Sequence, residues 1–329
     1  MTVVNIVTST IMRSTLHHRA RPVMTIIVLV LLLALPWAAT ASDHAFYTTF
    51  ATRIMIFALA ATSLNLVLGF GGMVAFGHAG FLGIGAYTVG ILMDKGFSSA
   101  WLSWPAATLI SGAIAGLIGL VSLRTKGVYF IMITLSFAQM LYFISVSLTY
   151  FGGDDGMSLP GRSIIQFGPD LASDDRFFYV VLGLCVAVLF FLHRLINGRF
   201  GRVLQSIREN ETRMSSIGYP VFRYKLVAFT ISGALAGLAG ALIANQNGFI
   251  SPSLMLWTQS GSLMIMIILG GVGYLYGGVL GSVVFLLLEE GLSNVTIHWQ
   301  LPLGLILLCV VLFAPTGLVG FFRDRRRHD

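Results

Sequence analysis

Apolar runs long enough to cross a bilayer recur along almost the whole chain. They are Val23–Ala41, Phe46–Phe70, Gly72–Met93, Trp101–Leu123, Val128–Thr149, Phe177–Ile196, Leu226–Asn245, the long stretch Thr258–Leu288, and Ile297–Phe321. A membrane helix needs about 20 mostly apolar residues. Of the 329 residues 56% are hydrophobic and only 10% charged, against about 25% charged in a soluble domain. So few charges could not cover a water-facing surface. The chain therefore reads as an all-α, polytopic integral membrane protein. The same arithmetic excludes a secreted disulfide scaffold, a nucleic-acid-binding domain and a disordered tail protein. Cys185 and Cys309 sit in apolar runs with no Cys or His at ligand spacing, and read as small buried hydrophobes.

The placement of the positive charge matters more than its sum of +7. Lys and Arg concentrate on cytoplasmic loops near the ends of spans. Arg13, Arg19 and Arg21 mark 1–22 as a cytoplasmic N-terminal segment. Arg124 and Lys126 mark an inside turn. Arg199, Arg202, Arg208, Arg213, Arg223 and Lys225 mark 197–225 as a cytoplasmic loop, and Arg323, Arg325, Arg326 and Arg327 mark 322–329 as a basic cytoplasmic tail. Loop 150–176 carries Asp154, Asp155, Asp170, Asp174 and Asp175 against Arg162 and Arg176 and reads as periplasmic. Residues 23–321 then form one transmembrane domain with both termini inside. Parity requires 258–288 to contribute no crossing or two. The glycine-rich break from Gly270 to Gly278 favours two short segments, and so about ten transmembrane helices with glycine-broken segments; a re-entrant hairpin is the alternative. Arg19, Arg21 and Ala39-Thr40-Ala41 around the first apolar run also fit a cleaved signal peptide, though an uncleaved span suits a polytopic protein better.

Glycine, 37 residues in all, recurs within the spans at small-xxx-small spacing: Gly112 and Gly116, Gly233 and Gly237, and Gly273, Gly277 and Gly281. Small residues let helix backbones approach closely in lipid. Ser111–Gly119, SGAIAGLIG, is echoed 121 residues later by Ser232–Gly240, SGALAGLAG, on spans of opposite direction. Inverted repeats are common in transporters.

Catalytic motifs are absent. The sequence has no GxxxxGK[ST] for ATP, no HExxH, no paired CxxC and no GxSxG, so neither enzyme activity, nor a cofactor, nor a metal site is expected. Among ionisable groups at membrane depth, functional candidates by default, His78 in Gly77-His78-Ala79-Gly80 is the deep one. It reads either as a hydrogen-bonded packing residue or as lining for a solute path. Arg53 can snorkel from the outer end of its span; Glu289 and Glu290 close another span. The inside loop holds GRFGRVLQSIRENETRMSSI, residues 198–217. Phe200, Val203, Leu204 and Ile207 share one helical face, opposite Arg202, Gln205, Arg208 and Glu209, and Glu209 and Arg213 stand four apart, ready to pair. This short amphipathic helix rests on the membrane interface or docks a cytoplasmic partner.

These stretches carry a resemblance. Ser63–Tyr87 (SLNLVLGFGGMVAFGHAGFLGIGAY), Lys126–Phe137 (KGVYFIMITLSF), Gly152–Leu159 (GGDDGMSL), the run Gly198–Ala244, Ser251-Pro252 and Leu269–Gly281 together resemble the inner-membrane permeases of branched-chain amino acid ABC transporters, LivM type, from about residue 46 to 320. The resemblance implies a permease pairing with a second homologous permease around the solute path, two cytoplasmic ABC ATPase subunits that drive it, and a substrate-binding protein that delivers substrate. Segment 198–218 matches the family's ATPase-docking segment, which puts Arg208, Glu209, Asn210 and Gly218 at that interface. Gln205 and the bulkier Thr212–Ser216 depart from the family's small residues. Half-helix N-termini near 69–85 and 270–281 would favour a substrate carboxylate, making His78, Gly80, Gly271 and Gly273 candidates for the translocation path.

Overall fold

In a computed structural model, residues 33, 36–37, 45–165, 171–313 and 317–318 are described. Segment 1–22, the tail 322–329 and nearly all of the first predicted span lie outside them, as does the question of its cleavage. The described chain is helical almost throughout: α1 (Ala45–Asn65), α2 (His78–Asp94), α3 (Ala100–Ser122), α4 (Val128–Ser147), α5 (Asp174–Asn197), α6 (Arg199–Glu209), α7 (Glu211–Ser216), α8 (Val221–Asn247), α9 (Trp257–Gly270), α10 (Gly277–Ser293) and α11 (Gln300–Phe313). Five of these are long and apolar enough by themselves to cross a bilayer. The long stretch 258–288 resolves into α9 and α10, separated at Gly271–Tyr276, where Gly271 and Gly273 take φ of 123° and 82°, conformations that favour glycine.

Helix α2 starts later than hydropathy suggests. The predicted span from Gly72 is irregular up to Gly77, because Gly72 turns left-handed at φ 68° and α2 begins only at His78. The chain leaving α8 descends beside α2 before α9 begins. The Ile250 side chain lies over Gly90, Met255 over Gly83, and the Ser260 hydroxyl meets the Ala79 amide at 2.9 Å. Non-helical backbone is tolerated at membrane depth when protein buries it, and Ile250, Pro252 and Met255 are buried.

Helices α2, α3 and α8 form the tightest part of the core. The two echo segments cross each other antiparallel. A Cβ on Gly112 would stand 3.0 Å from that of Ala234, and one on Gly116 would stand 3.3 Å from the Thr230 hydroxyl; on Gly233 and Gly237 it would collide with Ala115 and Ser111. Ser111 Oγ donates to the carbonyls of Phe81 and Gly233, both at 2.9 Å. Its echo, Ser232, donates to the Ser63 carbonyl at 2.5 Å. The repeated motif is thus a self-complementary crossing. Helix association in lipid relies on close packing and interhelical hydrogen bonds rather than on hydrophobic exclusion, and both are present here.

Loops gather at two ends. One end holds 95–99, 148–165, 171–173 and 248–251. There β1 (Met157–Ser158) pairs antiparallel with β2 (Phe249–Ile250), Ser163 N–H bonds Asn245 Oδ1 at 2.7 Å, and Arg162 pairs with Asp174 and stacks 4.9 Å over Phe177. The other end holds 66–77, 123–127, 198–220 and 271–276. Helix α5, 24 residues and so about 36 Å long, separates the acidic loop from the basic one. Cys185 is buried, as its apolar setting suggests; Cys309 is exposed on a helix whose apolar face has few protein neighbours.

Candidate coupling and translocation site

The site is built where α1 ends. Residues Leu66–Phe70 widen into a single π turn, with Gly71 N–H returning to Leu66 O at 3.1 Å and Met73 N–H to Val67 O at 3.0 Å. Such π turns interrupt helices at functional sites. Asn65, fully buried, precedes it. Its amide Nδ2 donates to Tyr274 O at 2.7 Å, and its Oδ1 accepts from Gly273 N–H at 3.1 Å. One side chain thereby ties the turn between α9 and α10 to the end of α1. Glycine at position 69 permits this, since a Cβ there would lie 2.6 Å from the Gly273 nitrogen.

Segment 198–218 approaches the same point. Helix α6 buries Leu204 and Ile207, the apolar face read from the sequence. Its Arg208 turns back into the membrane domain: the stem lies over Gly72, Nη1 donates to Gly69 O, and the same nitrogen stands 3.1 Å from where a Gly273 Cβ would be. The last carbonyls of a helix have no partner within it and carry the negative end of its dipole, so a guanidinium is the fitting neighbour for Gly69 O. Burial draws the Arg208 pKa below its ordinary value, and Glu209 beside it works the other way.

The single helix expected over 198–217 is two. At Asn210 the backbone extends (φ −154°, ψ 96°) and the Asn210 side chain caps α7 by accepting from Arg213 N–H at 2.9 Å. Asn is a favoured N-cap. The break removes the helical spacing of Glu209 and Arg213, and no ion pair joins them among the described residues. Gly218 ends α7 as its residue type suggests. At φ 93° it passes its N–H to Ser215 O at 3.0 Å, while Tyr219 N–H reaches Met214 O at 3.1 Å, the paired bonds of a Schellman termination. Glu209, Asn210 and Gly218 are exposed.

Glu211, which no sequence pattern marks, fixes this segment. It pairs with Lys126 at 3.1 Å, from the turn between α3 and α4, and with Lys225 at 2.8 Å, at the start of α8. Partial burial raises its pKa, but hydrogen bonds to Lys225 and Lys126 outweigh burial, and the carboxyl titrates below its ordinary value.

His78, at the start of α2, is 1% exposed. Its Nε2 lies 2.9 Å from Ser63 Oγ, whose own proton goes to Ala60 O at 2.7 Å; the bond therefore requires the proton on Nε2. The ring stands edge-on to Phe81, and Phe81 to Phe229. Gly80 faces α4: a Cβ on it would stand 3.0 Å from Leu141 Cδ1. Gly271 is buried in the turn and Gly273 is half-buried against Arg208 and Asn65. The four path candidates thus fall into two groups, His78 and Gly80 within the α1–α2–α4–α8 core, and Gly271 and Gly273 in the α9–α10 turn beside Arg208. Arg53 finds a partner that its snorkelling position did not reveal. It pairs with Glu289 at 3.2 Å and lies 5.8 Å from the Phe57 ring, joining α1 to α10 away from segment 198–218. Among the described residues no group of His, Cys, Asp or Glu could hold a metal ion.

Comparison with known proteins gives the broader setting. The description "Branched-chain amino acid transport system / permease component" matches residues 46–315. The chain is 33% identical to the high-affinity branched-chain amino acid transport system permease protein LivM of Salmonella typhimurium, over 84% of this chain and 70% of the relative. It is 31% identical to LivM of Escherichia coli, over 91% and 75%. It is also 25% identical to the permease protein LivH of the same transport system in Salmonella typhimurium, over 80% and 91%. No solved structure matches it. With the family's description matched over most of its length and LivM-type relatives above 30% identity, this chain belongs to the branched-chain amino acid transport system permease family and is a multi-pass membrane permease component of LivM type.

Proposed function

We propose that the chain is the permease subunit of an ABC importer that carries leucine, isoleucine and valine across the bacterial inner membrane. It forms the path together with a second homologous permease. A substrate-binding protein loads the path from the periplasmic side, and two cytoplasmic ATPase subunits drive it from the other. Both termini and the 197–225 loop face the cytoplasm, and loop 150–176 faces the periplasm. The observation that carries the proposal is the 31–33% identity to two LivM permeases over most of both chains. The charge asymmetry of the two ends supports the orientation, since basic loops remain inside. The exposed Glu209, Asn210 and Gly218 on the capped pair α6–α7 suit an ATPase-docking surface, with Arg208 joining that surface to the membrane domain. His78, Gly80, Gly271 and Gly273 stand where backbone is broken or closely packed, as a path that opens by small helix shifts requires.

Purification of the tagged chain in mild detergent, with mass spectrometry of what accompanies it, tests the assembly. Two P-loop ATPases and a second permease are the expected companions. The reconstituted complex with its binding protein then takes up radiolabelled leucine only when ATP is supplied. Recovery of the chain alone, where a control ABC complex survives, refutes the assembly; ATP-dependent uptake of another solute with no uptake of leucine, isoleucine or valine refutes the substrate.

A further inference from the structure

We infer that Arg208 is the positioning residue through which movement of the docking segment reaches the membrane core, by its bond to Gly69 O at the junction of the α1 end and the α9–α10 turn. The inference rests on the importer reading above.

Three observations converge at this junction. Segment 198–218 is attached to the core by polar contacts of different kind, Gln205 reaching the Ile196 carbonyl of α5 at 3.5 Å. Glu211 binds Lys126 and Lys225, which sit on the segment's own side, on the α3–α4 turn and the start of α8. Arg208 alone reaches across to Gly69 O and to the side of Gly273. Next, the elements it touches are ones that can shift. Residues 66–70 form a π turn and Gly273 is left-handed, and single π turns and short glycine segments absorb backbone changes at switching sites. Finally, the two touched elements are not independent, because Asn65 holds Gly273 N–H and Tyr274 O from the α1 side. A pull or push on Arg208 therefore acts on α1 and on the α9–α10 turn as one unit. Those helices extend to the other end of the molecule, where Arg53 and Glu289 join them again. A displacement at one end has a continuous, hydrogen-bonded route along two helices to the other.

The chemistry at the joint fits transmission better than simple anchorage. A guanidinium on a helix-end carbonyl is a directional, charge-assisted bond, and the stem over Gly72 leaves no room for a side chain there. Apolar anchorage is already supplied by Leu204 and Ile207, both buried.

The test uses the complete complex in proteoliposomes with its binding protein, radiolabelled leucine and ATP. Arg208→Ala is expected to assemble with both ATPases, while leucine uptake and the stimulation of hydrolysis by loaded binding protein fall by about tenfold or more, the factor carried by a lost charge-assisted hydrogen bond. Arg208→Lys, which keeps the charge on a single donor, recovers part of the stimulation. Uptake and stimulation within about twofold of wild type in assembled Arg208→Ala overturn the inference. Should Arg208→Ala not assemble, a mobility probe on Val272→Cys, in a Cys309→Ser complex with Arg208 intact, decides instead: a response to a non-hydrolysable ATP analogue supports the joint, and no response overturns it. A wild-type complex without ATP-dependent uptake would instead count against the importer reading itself.

Discussion

Asn65 offers the sharpest prediction about stability. Asn65→Ala removes two hydrogen bonds, to Gly273 N–H at 3.1 Å and to Tyr274 O at 2.7 Å, and leaves a void at a fully buried position. Each neutral hydrogen bond is worth about 0.5–1.5 kcal/mol net, so the two contribute about 1–3 kcal/mol, and the void adds up to about 1 kcal/mol. At about 2 °C per kcal/mol for a chain of this size, the expected fall in Tm is about 2–8 °C. Cys185, buried and bonded to Met55 O at 3.3 Å, provides the assay. In a Cys309→Ser background, a thiol-reactive fluorophore reports unfolding as Cys185 becomes exposed. Hydrogen exchange at 271–276 should quicken as well, by about tenfold for each 1.4 kcal/mol lost locally. A Tm within about 1 °C of the parent, together with unchanged exchange at 271–276, would show that the turn is held by its glycines and not by Asn65.

Three further outcomes follow from packing and charge. Gly237→Val should abolish folding or lower Tm sharply, because its Cβ would lie within 2.8 Å of Ala107 O and overpacking costs about 1–3 kcal/mol or more. Gly183→Ala on α5, with nothing within 4 Å of the new methyl, should be neutral or slightly stabilising, and equal effects of the two would refute the crossing. Glu211 titrates below its ordinary value of 4.5, so its contribution to stability is complete above that value and is lost as pH falls through the lower folded one. The Tm deficit of Glu211→Gln should therefore be present at pH 7, close toward low pH, and shrink in about 1 M salt as screening takes hold; a deficit that grows on acidification contradicts the ion pairs. Finally, a double-mutant cycle on Arg53→Gln and Glu289→Gln should give a coupling of about 0.2–1 kcal/mol, as expected for a partly exposed pair, and zero coupling would mean the pair does not hold α1 to α10.

Much of the architecture was readable in one dimension, because lipid imposes one-dimensional rules. An apolar run must become a helix of fixed length, and hydropathy alone therefore found the spans that became α1, α3, α4, α5 and α8. Glycine at 270–278 announced the break between α9 and α10, since no other residue takes those backbone angles cheaply. The apolar face of α6 and the glycine termination at Gly218 were equally local signals. Hydropathy misplaced the start of α2 because an irregular stretch such as 72–77 is as apolar as a helix when protein rather than water surrounds it.

The tertiary structure alone decided the partners. Asn65 is one polar residue in an apolar run until Gly273 and Tyr274, more than 200 residues away, meet it. Glu211 is one acid in a basic loop until Lys126 and Lys225 converge on it. Arg208 was singled out as a docking residue, yet its bond to Gly69 O, 139 residues distant, could not be foreseen. Hydropathy and local turn chemistry are properties of neighbouring residues, legible in order along the chain. Which carbonyl faces which guanidinium depends on how helices settle against one another, and in a bilayer that is set by the fit of small residues such as those at the α3–α8 crossing, which becomes visible only when both surfaces are brought together.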